Sequence, residues 1–257
     1  PGPLSAGISR LEPKEIIVSD KILQAPEFFE LFNEFKRILT PLPAVRFSPE
    51  NGQKRLEKFF NVQTLDAFGH FNKCELGAAG ALVDYIELTQ KGQTPRLNPL
   101  KHFTSGRLME IDTATRRNLE LFHSLCEEKG PTLFSSIDKT VTGSGARLLS
   151  RYLSLPLTDV AAINKRLDRI EFFIKNPIIR ATIRDRLAEC PDMERALARL
   201  SLGRGGPRDL AAIRDTLKQI PDMKLALHSE LGMPSAIENC LKSLNSLDDL
   251  TDTLCRA

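Results

Sequence analysis

The 257-residue chain is 41% hydrophobic and 27% charged, which is typical of a globular protein with enough material for one large or two small domains. Its net charge of +3 permits a polyanionic partner but does not require one. The five cysteines form no Cys-x-x-Cys pair, and no apolar run approaches the roughly 18 residues that cross a bilayer. We therefore expect reduced thiols, a cytoplasmic location and no membrane partner.

The first fifty residues predict a short strand and a helix. Residues 1–7 are rich in proline and glycine, so we interpret them as a linker. Residues 16–18, Ile-Ile-Val, predict a buried strand. Residues 26–39 predict one amphipathic helix, because Phe28, Leu31, Phe32, Phe35 and Leu39 recur at helical spacing.

Two further helices follow, and the second one carries small residues. Ser48-Pro49 has the pattern of an N-cap followed by proline at the first helical position. A helix over 74–90 contains Gly-Ala-Ala-Gly-Ala at 77–81. A phosphate-binding loop is the alternative interpretation, but it needs a preceding strand and a Lys-Ser/Thr ending, both missing here. The stripe therefore predicts a close approach between two helices.

The stretch 107–122 predicts a short β-hairpin-like element. Leu108 and Ile111 would end one strand, and Leu119 and Leu121 alternate as a second strand would. Between them, Asp112 and Thr113 offer oxygen atoms to a helical turn, which Asn118 would end in a left-handed conformation. The residues alone equally allow a surface hairpin with an unusual loop.

Glycines also precede the next helix, at 143 and 145. They allow an anion-binding nest, but Arg147 to Leu153 have helical periodicity, so a tight helix entry capped by Thr142 or Ser144 is favoured. From Thr158 onward the pattern predicts successive helices, and we expect Leu167 and Leu210 to be buried in their core. The last apolar stripe reaches the end of the chain without a Gly or Pro terminator, which indicates a fragment boundary.

The sequence contains no recognisable catalytic, cofactor-binding or metal-binding constellation. A Walker-A G-x-x-x-x-G-K-[ST] loop is absent, and the four histidines are isolated from one another and from cysteine. Basic residues at 165–186 alternate with acidic ones at helical spacing, which is typical of exposed helix faces. We assign no DNA-binding residue among them, because no aromatic stacking platform lies between them.

Four segments in order resemble the motifs of the MutS family of DNA mismatch-recognition ATPases. They are Asp112-Thr-Ala-Thr-Arg-Arg-Asn-Leu-Glu-Leu121, the block 138–157 that begins Asp-Lys-Thr-Val-Thr-Gly-Ser-Gly, Asp192-Met-Glu-Arg-Ala-Leu-Ala-Arg-Leu200 and Gly206-Pro-Arg-Asp-Leu210. Three positions depart from the family, which usually has Pro-Met or Ala-Met at 143–144, where this chain has Gly-Ser, and often Trp at 152, where it has Tyr. Phe28-Phe29-Glu30 matches the family's Phe-x-Glu mismatch reader, but that reader lies in a separate upstream domain, so we interpret these aromatics as packing residues.

The resemblance implies a mainly α fold, namely an irregular multi-helix core domain preceded by the last strand and helix of a small α/β connector domain. Residues 1–46 would be the connector tail, and 47–257 the core, or lever, domain truncated before the clamp. In the family this core links the ATPase domains to a clamp that grips DNA. The parent protein, cytoplasmic and of bacterial type, is expected to bind ATP, Mg²⁺ and mismatched double-stranded DNA and to form a homodimer. The fragment itself is expected to have no active site.

Two alternatives remain open from the sequence. The chain could be a self-contained helical protein-interaction scaffold with no parent ATPase. It could also be a weak nucleic-acid-binding module, because basic residues are frequent on its predicted helices.

Overall fold

Side chains that cap helix N-termini fix where many helices begin in the computed structural model. It describes residues 2–11, 13–90, 94–95, 97–101, 108–126, 130–228 and 232–256. The chain divides into two compact units, residues 1–105 with 110–120 and residues 106–109 with 121–257. Each unit is described by itself.

The first unit contains a small parallel sheet and several helices. In its described part, the strands and α-helices are α1 (Gly2–Leu11), β1 (Ile16–Ser19), α2 (Asp20–Leu23), α3 (Phe29–Glu34), β2 (Leu39–Leu42), α4 (Pro49–Phe60), α5 (Lys73–Thr89) and α6 (Thr113–Asn118). Short 3-10 helices lie at Pro26–Phe28, Lys36–Ile38, Ala44–Phe47 and Asp66–Phe68. Strands β1 and β2 pair in parallel, with Ile16 opposite Leu39 and Ser19 opposite Leu42.

The packing of α4 on α5 forms the centre of the first unit. Ser48 caps α4 with Pro49 at its first turn, as predicted. Leu56, Leu65 and Val83 are the buried residues of this core. The small-residue stripe of α5 lies against α4, because a Cβ added to Gly80 would overlap the Cα atom of Gly52. The predicted close approach of two helices is confirmed.

Two predictions for the start of the chain were wrong. Residues 2–7 belong to α1, where Ile8 is buried, so this segment is a packed helix rather than a linker. Residues 26–39 do not form one helix. The segment consists of a 3-10 helix, α3 and a second 3-10 helix, and Leu39 then pairs with β1. Pairing in the sheet satisfies backbone groups that a longer helix would have bonded internally. Phe28 does pack, with its ring centroid 5.8 Å from that of Phe32. The packing interpretation was wrong for Phe29, which is 68% exposed.

The predicted β-hairpin around 107–122 was also wrong, and residue 107 lies outside the described residues. Leu108 instead forms an antiparallel bridge with Leu157, and the Met109 amide donates to the Pro156 carbonyl at 2.8 Å. The turn between the supposed strands is α6, capped by Asp112 as predicted. Its exit is made by Glu120, with φ 46°, and not by Asn118. Strand periodicity over four residues did not reveal the distant partner.

The second unit is built of helices. In its described part these are α7 (Leu133–Ile137), α8 (Gly143–Ser154), α9 (Val160–Lys175), α10 (Pro177–Ala188), α11 (Met193–Ser201), α12 (Pro207–His228), α13 (Ser235–Ser243) and α14 (Asp248–Arg256). The helical succession predicted after Thr158 is confirmed. One buried cluster contains Phe172, Ile179, Leu227 and Ile237, and another contains Leu217, Ile220 and Met223.

The predicted burial of Leu167 and Leu210 was wrong. Leu167 is 53% exposed and Leu210 is 41% exposed. On α9 the side chain that enters the core is Phe172, which lies on a different side of the helix. The predicted boundary between residues 46 and 47 falls inside the 3-10 helix Ala44–Phe47 of the first unit. The division of the chain into connector tail and core stays a prediction.

Candidate functional site: an ion-paired junction of three helices

Five charged side chains join α8, α11 and α12, and we call this group the motif junction. Its members are Arg147, Asp192, Glu194, Arg199 and Asp209. They come from the second, third and fourth of the motif segments. Their positions follow from how each helix begins.

Helix α8 carries Arg147 one turn after its start. The Thr142 hydroxyl accepts a hydrogen bond from the Gly145 amide at 3.0 Å, which caps the helix. A Cβ added to Gly143 would lie 3.0 Å from the Asp192 carboxylate. The glycine therefore leaves room for the carboxylate that pairs with Arg147. The predicted tight helix entry is confirmed, and of the two caps that the sequence allowed, Thr142 and Ser144, the structure has Thr142.

Arg147 binds two carboxylates of the α11 segment. Its Nη1 and Nη2 atoms donate to Asp192 Oδ2 and Oδ1 at 2.7 and 2.8 Å, in a bidentate arrangement. Nη2 also donates to Glu194 Oε2 at 2.6 Å. The Arg147 hydrogen bonds lower the pKa of Asp192 to about 2, and the two carboxylates raise the pKa of Arg147. Bidentate Arg–carboxylate pairs fix geometry as well as contribute energy.

Asp192 also starts α11. Its Oδ1 atom accepts a hydrogen bond from the Arg195 amide at 3.2 Å, so the same carboxylate caps one helix and holds another. The Arg195 side chain lies 3.5 Å from Asp192 Oδ2. Loss of this carboxylate would therefore weaken the beginning of α11 together with its link to α8.

The far end of α11 is joined to α12 by Arg199 and Asp209. Arg199 Nε donates to Asp209 Oδ1 at 2.8 Å, and Asp209 Oδ2 accepts from the Gly206 amide at 3.0 Å. Asp209 is only 8% exposed, and the Arg199 guanidinium lowers the pKa of this carboxyl. Gly203, with φ 64°, reverses the chain between the two helices. The ion pair thus spans the loop between α11 and α12.

The first motif segment has its own local network in the first unit. Asp112 Oδ1 accepts from the Thr115 amide at 2.7 Å and caps α6. Arg116 is buried, and its Nε donates to the Ile111 carbonyl at 3.2 Å. This arrangement stabilises a single helical turn.

The junction can link helices but is poorly suited to proton transfer. Arginines lower the pKa of Asp192 and of Asp209, whereas an acid–base catalyst works best with a pKa near the operating pH. Within the described ranges, no group of three or more His, Cys, Asp or Glu could hold a metal ion. No described helix is both long and apolar enough to span a membrane.

The basic residues of α9 and α10 mostly make contacts within the chain. The Arg166 guanidinium lies 3.7 Å from the Tyr152 ring centroid, and Lys175 pairs with Glu171 at 2.5 Å. Arg184 donates to the Lys139 carbonyl at 2.9 Å. The mixed-sign spacing thus produces a local ion pair on α9.

Arg147 and Asp192 lie in separate motif segments, and the sequence pattern did not predict that they meet. They are 45 residues apart, and neither helical nor strand periodicity carries information at that distance. An available signal was the capping position of Asp192 before a helical run. It identifies the start of α11 but not the arginine that binds there.

The chain is a helical segment of two units. The charged side chains of its motif junction pair with one another and so link helices. Residues 114–256 match the family model described as MutS domain III, and residues 3–101 match MutS domain II. The chain belongs to the MutS family.

Several curated relatives are named DNA mismatch repair protein MutS. That of Azorhizobium caulinodans is 46% identical over 207 residues, covering 80% of this chain and 22% of the relative. That of a Ruegeria species is 44% identical over 252 residues, 98% of this chain and 28% of the relative. That of Rhodopseudomonas palustris is 42% identical over all 257 residues, again 28% of the relative. The chain therefore spans about a quarter of the length of these relatives.

Proposed function

We propose that this chain is the connector and core part of a longer DNA mismatch repair polypeptide, in which it transmits conformational change between an ATPase and a clamp on DNA. The motif junction carries this proposal. Arg147 ties α8 to α11, and Arg199 ties α11 to α12. Helices joined in this way move as one piece, because close-packed elements rearrange in discrete steps rather than bend continuously.

The residues present do not fit ATP and Mg²⁺. The chain has no Walker-A loop whose amides and lysine would hold the phosphates. We therefore place nucleotide binding, and hydrolysis of ATP, in another part of the longer polypeptide. The same polypeptide would bind mismatched duplex DNA and act as a cytoplasmic homodimer.

Assays on the 257-residue chain test whether it has chemistry of its own. We expect no ATP hydrolysis, and binding of mismatched and matched duplexes only at the nonspecific level of about 10⁻⁴–10⁻⁶ M. Measuring both duplexes at two salt concentrations separates phosphate contacts from mismatch recognition. A nanomolar preference for the mismatch would contradict the proposal and favour an autonomous DNA-binding module.

Transmission is tested in the longer polypeptide with Arg147→Met. The measurement is the ratio of the Kd values for mismatched duplex with and without ATP. We expect Arg147→Met to bring this ratio closer to one while the affinity for ATP in the absence of DNA stays the same. Arg151→Met, at an exposed position of the same helix, is the control. An unchanged ratio in Arg147→Met would contradict a transmitting role for the junction.

A further inference from the structure

Helix α9 is apolar on two separate sides. One side enters the core of the second unit through Phe172, with Phe173 packed against the same cluster. The other side is an exposed row that we call the α9 stripe. Its members are Val160 (68% exposed), Leu167 (53%), Ile170 (54%) and Ile174 (62%).

The α9 stripe has the spacing of a helix-pairing seam. Positions 160, 167, 170 and 174 are separated by seven, three and four residues, which places them on one side of a helix. Ile163, which is half-buried, falls at the remaining position of the same pattern. Alternating three- and four-residue steps of this kind form the contact line between paired helices. The stripe is therefore shaped to receive another helix.

An exposed row of this kind needs a partner. Single exposed apolar residues are ordinary, but contiguous apolar patches usually mark an interaction site. The basic and acidic residues of α9 do not interrupt the row, since Lys165, Asp168 and Lys175 occupy other positions of the helix.

We propose that an amphipathic helix from the part of the polypeptide outside these 257 residues packs on the α9 stripe. This inference rests on the proposed function only in requiring the longer polypeptide. The relatives extend well beyond the matched segment, because this chain covers 22–28% of their length. A docking helix within the same polypeptide also avoids much of the entropic cost of association.

A second copy of the chain is a less suitable occupant. The stripe covers roughly two heptads, whereas a coiled coil is identified by at least about three to four. A seam that short between separate molecules would have to overcome the full entropic cost of association.

The direct test is Leu167→Glu in the longer polypeptide, with Ala161→Glu as its control. Ala161 is exposed in the first turn of α9 and is not a member of the stripe, so the control adds the same charge to the same helix. If a helix covers the stripe, Leu167→Glu buries an unpaired charge, and we expect it to lower the thermal midpoint by about 5 °C or more. Ala161→Glu is expected to leave the midpoint unchanged.

Equal midpoints for the two variants would overturn the proposal. A lowered midpoint accompanied by a halved mass in sedimentation would also overturn it, because the occupant would then be a second copy. A further measurement needs no substitution. Hydroxyl-radical footprinting should modify Leu167 and Ile170 less in the longer polypeptide than in the 257-residue chain, and equal modification would contradict the proposal. Neither readout involves ATP or DNA, so its failure is distinguishable from failure of the transmission role.

Discussion

Gly80 of α5 and Gly52 of α4 meet backbone to backbone, and a Cβ added to Gly80 would overlap the Cα and carbonyl atoms of Gly52. Gly77 has the same relation to the Phe47 carbonyl. The two helices therefore approach each other at positions where only glycine fits without a shift of the backbone. This contact brings together the residues of the Leu56 core.

Replacing Gly80 with alanine should destabilise the protein. Alanine at an unconstrained helical position stabilises by about 0.5–1 kcal/mol relative to glycine, but overpacking against a rigid backbone costs about 1–3 kcal/mol. We expect the second effect to exceed the first, which denaturant unfolding would measure. Gly7→Ala in α1 is the control, because a Cβ there meets nothing within 4 Å. Stabilisation of both variants alike would contradict the close contact.

Leucine truncations distinguish the core from the α9 stripe. Leu56 is 1% exposed, so Leu56→Ala should cost about 2–5 kcal/mol of unfolding free energy. Leu167→Ala removes the same atoms from an exposed position, and in the 257-residue chain it should change stability by about 0.5 kcal/mol or less. Chemical denaturation of both variants provides the comparison. A loss at Leu167 as large as that at Leu56 would place Leu167 in the core.

The Arg147–Asp192 pair should make a pH-dependent contribution to stability. The pKa of Asp192 is lowered to about 2 in the folded chain, against about 3.9 for an unperturbed aspartate. Its contribution is therefore fully present above about pH 4 and is lost as the pH falls toward about 2.

The free energies of unfolding of the unsubstituted 257-residue chain and of Asp192→Asn, measured across this pH range, give that contribution. We expect the difference in unfolding free energy between them to shrink between about pH 4 and pH 2. A difference that stays constant over the same range would mean that the carboxylate is not held ionised by Arg147.

The sequence predicted local features well, because their causes lie within a few residues. Ser48, Asp112 and Thr142 cap the helices that follow them. Residue type alone predicted the first two, and it narrowed the third to Thr142 or Ser144. The close approach of α4 and α5 also followed from composition, since a run of glycine and alanine at 77–81 has few other structural uses. The resemblance to the family then predicted the mainly α fold to which these elements belong.

Long-range partners could not be predicted in the same way. Leu108 forms its bridge with Leu157, which lies outside the segment 107–122 from which the hairpin was predicted. The local pattern therefore predicted a hairpin around the segment that contains α6. Helix α9 shows a second limit. Periodicity identified Leu167 as part of an apolar row, but not that Phe172 forms the contact with this unit's own core.

A double-mutant cycle tests most directly whether the motif junction transmits conformational change between the ATP-binding and DNA-binding parts of the longer polypeptide. In the longer polypeptide, the ratio of Kd values for mismatched duplex with and without ATP would be measured for Arg147→Met, Asp192→Asn and the double variant. Coupling between sites typically corresponds to about a 5- to 150-fold change in affinity. Glu171→Gln and Lys175→Met, at an exposed ion pair of α9, are the controls.

Because either substitution breaks the same link, we expect each single variant to bring the ratio about as close to one as the double variant does. The control variants should keep the ratio of Kd values measured for the unsubstituted polypeptide. If Arg147→Met and Asp192→Asn both kept the ratio of the unsubstituted polypeptide, the motif junction would not transmit the effect of ATP to DNA binding.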